Sequence, residues 1–135
     1  MAAFGFQRGE RLKSRKEIER LFKPGSQACT QYPLRLVWRP MENRRSAYPV
    51  QMTVSVSKKR FKHAVDRNRV KRLIREAYRL NKPALYEQFP EEADQLAWMI
   101  IFIGKELPEY KRVDKAMKKL LRKFFRQYQP ASTND

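Results

Sequence analysis

The chain predicts an α/β or α+β sandwich, with helices packed on a small sheet, and three observations carry that prediction. The apolar period changes from helical to alternating and back to helical along the 135 residues. A long amphipathic stretch separates two strand-length runs, and one of those runs, residues 97–103, is apolar on both faces. Helices with one apolar stripe and strands with an apolar face must bury them against each other, which gives layers around one core. The hydrophobic fraction of 41% suffices for a single domain of this length.

Each element has its own signal. Ser14-Arg15-Lys16-Glu17 reads as a capping box, and Ile18, Leu21 and Phe22 follow at helical spacing until Pro24-Gly25, which places a helix over residues 14–23. Leu34-Arg35-Leu36-Val37-Trp38-Arg39 is a strand-length run between Pro33 and Pro40, with Glu42–Ser46 as a polar turn. Val50, Met52, Val54 and Val56 alternate with polar residues, as a strand with one buried face does, so two adjacent strands are expected here. From Arg67 the period is helical again, with Val70, Leu73, Ile74, Ala77 and Leu80 on one side and Asn81-Lys82-Pro83 as the stop. Residues 84–95 read as a helical turn and an acidic loop before the doubly buried strand. Val113, Ala116, Met117, Leu120, Leu121, Phe124 and Tyr128 then mark a long final helix, and the tail from Pro130 is polar and expected to fray.

Charge narrows the function. Lys and Arg total 31 against 14 Asp and Glu, a net +17 whose self-repulsion calls for a polyanion, either a nucleic acid or an anionic membrane. No apolar run approaches the roughly 20 residues that span a bilayer, so a soluble, cytoplasmic protein is expected. The single cysteine, Cys29, reads as a small apolar filler. The single histidine, His63, has no second His or Cys at metal-ligand spacing, and no Ser/His/Asp set, Gly-rich loop or acid pair stands out. Neither a metal site nor catalytic residues are expected on the protein.

Residues 58–82 hold 11 Lys or Arg and only two acids, Asp66 and Glu76. On the helical part, Asn68, Lys71, Arg72, Arg75 and Arg79 fall opposite the apolar stripe, where guanidinium forks can grip successive phosphates. A membrane-surface helix would carry aromatic wedges on its apolar face, and this one carries none at those positions.

Ser57-Lys58-Lys59, Ala64-Val65 and then Arg67-Asn68-Arg69-Val70-Lys71-Arg72-Leu73-Ile74-Arg75-Glu76-Ala77 closely resemble the signature of the bacterial ribonuclease P protein component. Arg11-Leu12, the capped helix ending Leu21-Phe22-Lys23, and Gly25 agree in order, so the resemblance spans roughly residues 8–126. It implies an α-β-β-β-α-β-α order, a small, mostly antiparallel sheet, a left-handed βαβ crossover and one domain with an ordered core over about 8–128. It also implies that a large RNA subunit cleaves the 5′ leader from precursor tRNA, using magnesium held by RNA. The resemblance further implies that the protein binds that RNA one to one and takes no small-molecule substrate. The RNA-subunit contacts implied are Lys58, Lys59, Arg67, Asn68, Arg69, Lys71, Arg72 and Arg75. A leader cleft is implied at Ile18, Phe22, Tyr32, Val37 and Trp38, where leader bases stack on aromatic rings. Ile18 departs from the pattern, since that position is commonly aromatic. So do Leu96-Ala97-Trp98 and Gly104-Lys105 at the ends of the buried strand, with Asp94 displaced. Charge alone would equally allow a ribosomal or other structural RNA-binding protein.

Overall fold

In the computed structural model, which describes residues 5–128, the elements follow in this order: a 3-10 turn at Arg8–Glu10, α1 (Arg15–Arg20), β1 (Gln27–Gln31), β2 (Leu34–Pro40), β3 (Val50–Val56), α2 (Ala64–Glu87), β4 (Leu96–Phe102) and α3 (Tyr110–Gln127). The predicted α+β class and the α-β-β-β-α-β-α order are both present. The polar tail, residues 129–135, lies outside the described residues.

The four strands form one sheet in the order β1-β2-β4-β3. β1 pairs antiparallel with β2 and β2 antiparallel with β4, while β3 runs parallel to β4. The expected adjacency of the second and third strands is therefore wrong, because β4 lies between them. The reason is burial: Leu96–Phe102 is apolar on both faces and takes an inner place, whereas β3 keeps Thr53 and Ser55 half-exposed and takes an edge. β1, Gln-Ala-Cys-Thr-Gln, shows no alternation in the sequence and is defined by its pairing with β2.

Each face of the sheet has its own cluster. Leu34, Leu36 and Trp38 of β2, the even residues of β3, and Trp98, Ile100 and Phe102 pack beneath α2 and α3. There Phe124 sits 5.0 Å from Trp38 and 4.8 Å from Trp98, both edge to face. On the other face α1 covers only one end, where Leu12, Leu21, Met41, Ala97 and Met99 are buried with Ile18, Val37 and Ile101 at their margin.

α1 is shorter than the sequence suggests. Ser14 Oγ accepts from the Glu17 N–H at 3.2 Å, but the buried Glu17 carboxylate turns inward, accepting from Arg20 at 2.6 Å and from the Glu42 N–H at 3.1 Å. Half of the capping box is thus replaced by a tertiary tie. Arg39 reaches from β2 to donate to the Arg20 carbonyl at 2.8 Å, and Gly25, at φ 104°, makes the turn into β1.

α2 begins at Ala64 and does not stop at Pro83, which lies inside it. A proline there removes one helical hydrogen bond, at a cost of about 3 kcal/mol. Side-chain contacts offset it: Asn81 Nδ2 donates to the Ala77 carbonyl within the helix at 2.7 Å and to Asp114 of α3 at 3.1 Å, and Leu85 beyond the proline is buried. Leu80, expected on the buried stripe, is 44% exposed, and Tyr78 and Lys82 are buried instead. Lys82 is 2% exposed and holds the N-terminal segment, donating to both Glu10 carboxylate oxygens and to the Gly5 carbonyl. Tyr86 also donates to Glu10, at 2.7 Å.

Candidate nucleic-acid interface

α2 and the turn before it carry the predicted cations. Lys58 and Lys59 are exposed in the turn after β3, as are Asn68, Arg69, Arg72 and Arg75 on the helix, while Lys71 is half-buried. Arg67 is engaged within the protein, where one of its guanidinium nitrogens donates to the Phe61 carbonyl at 2.9 Å and to the Lys62 carbonyl at 2.8 Å, folding the lysine turn onto the helix. Arg79 pairs with Glu76 at 2.7 Å. That bond holds the Glu76 carboxyl below its ordinary value, since the charged form is the one that accepts. Six of the eight predicted residues thus stand exposed on one edge, with Arg67 turned to shaping the turn and Lys71 half-covered. Arg75 also lines a cleft with Phe6, Arg11, Lys13 and Met52–Val54, which adds two cations from the N-terminal segment.

The predicted leader residues divide into four places. Ile18 and Val37 meet beside α1 on the half-covered face. Phe22, in the turn after α1, is 71% exposed, so its ring is available rather than part of the core. Trp38 is a correction: it is 4% exposed and points to the opposite face, packed on Phe124 and Tyr128, because side chains on β2 alternate and Val37 takes the other side. Tyr32 also lies away from α1, in the turn between β1 and β2, with the Arg112 guanidinium 5.6 Å from its ring centroid.

Register shows what else the open face presents. Val37 pairs with Met99, Arg35 with Ile101, and Thr53 and Ser55 of β3 with the same two β4 residues. Thr30 of β1 lies opposite Arg35 and accepts from it at 3.2 Å. The result is a groove bordered by α1, with an aliphatic floor and Arg35, Thr30, Thr53 and Ser55 along it. The alternation of Thr53 and Ser55 with valines is a sequence signal for that wall, whereas Thr30 takes its place only through the pairing of β1.

Arg, Lys, hydroxyl and exposed ring groups in this arrangement can grip phosphates on one edge and hold an extended strand on one face. Among the described residues no group of three or more His, Cys, Asp or Glu stands together as a metal site. No helix among them is long and apolar enough to cross a membrane. Cys29 is half-buried, and burial pushes its thiol up, away from the reactive thiolate.

Comparison with known proteins agrees with this geometry. The family model described as Ribonuclease P matches residues 6–125. The ribonuclease P protein component of Porphyromonas gingivalis is 47% identical over 120 residues, covering 89% of this chain and 86% of the relative. The RNase P protein structure from Thermotoga maritima shares the fold with a TM-score of 0.64 at 23% identity, over 84% of this chain and 96% of that one. The Staphylococcus aureus RNase P protein does so with a TM-score of 0.63 at 19% identity, over 84% and 93%. With the basic helix, the half-covered sheet and these matches together, the chain belongs to the ribonuclease P protein family.

Proposed function

We propose that this chain binds the RNA subunit of ribonuclease P along the α2 edge and the 5′ leader of precursor tRNA in the α1 groove. It thereby assists endonucleolytic removal of the leader in the cytoplasm. The observation that carries this is the separation of two surfaces: a cationic edge of exposed Lys and Arg, and a groove with an aliphatic floor and Phe22 exposed beside it. A polyphosphate held on the edge leaves the groove free for a single strand, which stacks and slides without base reading.

In this reading the RNA subunit carries the chemistry and the protein lends position and charge. In the same reading, magnesium in the complex is held by RNA. The protein contributes by neutralising phosphates that would otherwise need more metal ions, with one protein per RNA. Family membership favours this over the ribosomal alternative.

Reconstitution tests it. Mixed with a cognate ribonuclease P RNA at low magnesium, the protein stimulates 5′ processing of a precursor tRNA over RNA alone. Absence of stimulation overturns the reading.

A further inference from the structure

Charge on this molecule is concentrated in two places, and the proposed function uses only one. α3 holds eight Lys or Arg and a single acid, Asp114, which is paired with Lys118 at 2.8 Å. Outside α3 and residues 58–82, the chain has 12 cations against 11 acids and is nearly neutral. Lys118, Arg122 and Arg126 of α3 line a cleft with Asn81, Ala84 and Gln88 of α2, but Arg112, Lys115 and Lys119 stand at the edge of the sheet opposite Arg75. Arg75 of α2 lines a cleft over β3, whereas Lys115 and Lys119 of α3 line one with Gln31 and Tyr32 at the end of β1. β3 and β1 are the two outer strands, so an RNA held along the Arg75 edge does not account for Arg112, Lys115 and Lys119.

At that second edge a stacking platform is already built. Tyr32 is 51% exposed and the Arg112 guanidinium covers part of its ring, leaving the remainder to solvent. Two clefts flank the pair, one lined by Lys105 and Arg112, the other by Lys115 and Lys119. An exposed aromatic ring among cations is how proteins hold single-stranded nucleotides: the ring takes a base of any identity and the cations take the phosphates on either side.

The groove leads to it. Arg35 and Thr30 stand at the end of the open face nearest the β1–β2 turn, and Tyr32 follows in that turn. From Val37 to Leu34, where β2 begins, is about 10 Å along the strand, and Tyr32 lies in the turn just before it. We propose that Tyr32 and Arg112, with Lys115 and Lys119, form a second nucleotide site that takes a leader base after the strand has left the α1 groove and rounded the sheet edge. The site rests on the reading that the groove holds the leader, and it assigns α3 to the far part of the same strand.

The test uses the reconstituted holoenzyme and precursor tRNAs whose leaders lengthen one nucleotide at a time, with mature tRNA as the zero-length control. Wild-type protein gains affinity in two steps, the first as the leader fills the groove and the second as it passes the groove. Tyr32→Ala and Arg112→Ala each remove the second step, by about tenfold for Tyr32→Ala, within the range that stacking one base on a ring supplies. Both leave the first step intact, and Tyr32→Phe retains both. Lys115→Ala combined with Lys119→Ala reduces the salt dependence of binding for long leaders only. A wild-type protein with no second step, or a second step that survives Tyr32→Ala, overturns the proposal while the groove reading stands. Equal losses for short leaders, long leaders and mature tRNA also overturn it. Absence of even the first step overturns the groove reading itself.

Discussion

The two faces of the sheet are built from the same strands and finished in opposite ways. Beneath α2 and α3 the inward-pointing residues of β2, β3 and β4 are apolar, and Trp98, Tyr78, Phe102 and Phe124 are fully buried. Under α1, a six-residue helix, burial stops at Leu21, Met41, Ala97 and Met99, and Val37, Ile101, Thr53 and Ser55 remain partly open. Stability comes from the face that is closed, and the proposed leader groove lies on the face that is left incomplete. A groove for an extended strand needs no special architecture here, only a helix too short to cover the sheet.

That contrast fails if substitutions on the closed face disturb RNA binding as much as folding, or if those on the open face unfold the protein. The largest expected effect is Trp98→Ala, which empties the centre of the closed face and costs about 3–5 kcal/mol in urea unfolding. Trp98→Phe costs much less, since the buried indole N–H has no hydrogen-bond partner and its removal leaves nothing unpaired. Lys82→Ala comes next, at about 3 kcal/mol, because the Glu10 carboxylate is left buried without its partner charge. Chemical denaturation measures both, and a loss under about 1 kcal/mol for Lys82→Ala would mean that the N-terminal segment detaches freely.

On the open side the order of effects reverses. Phe22→Ala changes stability by less than about 0.5 kcal/mol, as expected for an exposed side chain. It weakens binding of precursor tRNA more than of mature tRNA, by about tenfold if one base stacks there. Equal losses for the two tRNAs would return Phe22 to a structural role. The smallest effect is Arg72→Ala, which leaves folding alone and lowers the magnitude of the salt slope for RNA-subunit binding by about 1, one phosphate contact. An unchanged slope places Arg72 off the RNA.

Much of this is legible from local pattern. The two basic helices, the doubly buried strand and the alternation of β3 are written in periodicities of about 3.6 and 2, which a chain carries without regard to its neighbours. The Arg-Asn-Arg segment points to the family for the same reason, being contiguous. Pro83 reads as a helix stop because a proline's local cost is visible in sequence, whereas the Asn81, Lys82 and Leu85 contacts that outweigh it are distant. Trp38 is hard to place from sequence because alternation says that Val37 and Trp38 face apart but not which of them faces α1.

By itself, then, the sequence determined the element types other than β1, the charge on α2 and α3, and the family, all of which depend on residues within a few turns of one another. Only the tertiary structure decided that β4 separates β2 from β3, that Lys82 is a buried strut rather than a phosphate contact, and that Tyr32 meets Arg112 at the far edge of the sheet. Those outcomes depend on strand pairing between segments far apart in the chain, where the free energy of burial chooses the partner and no local pattern records the choice.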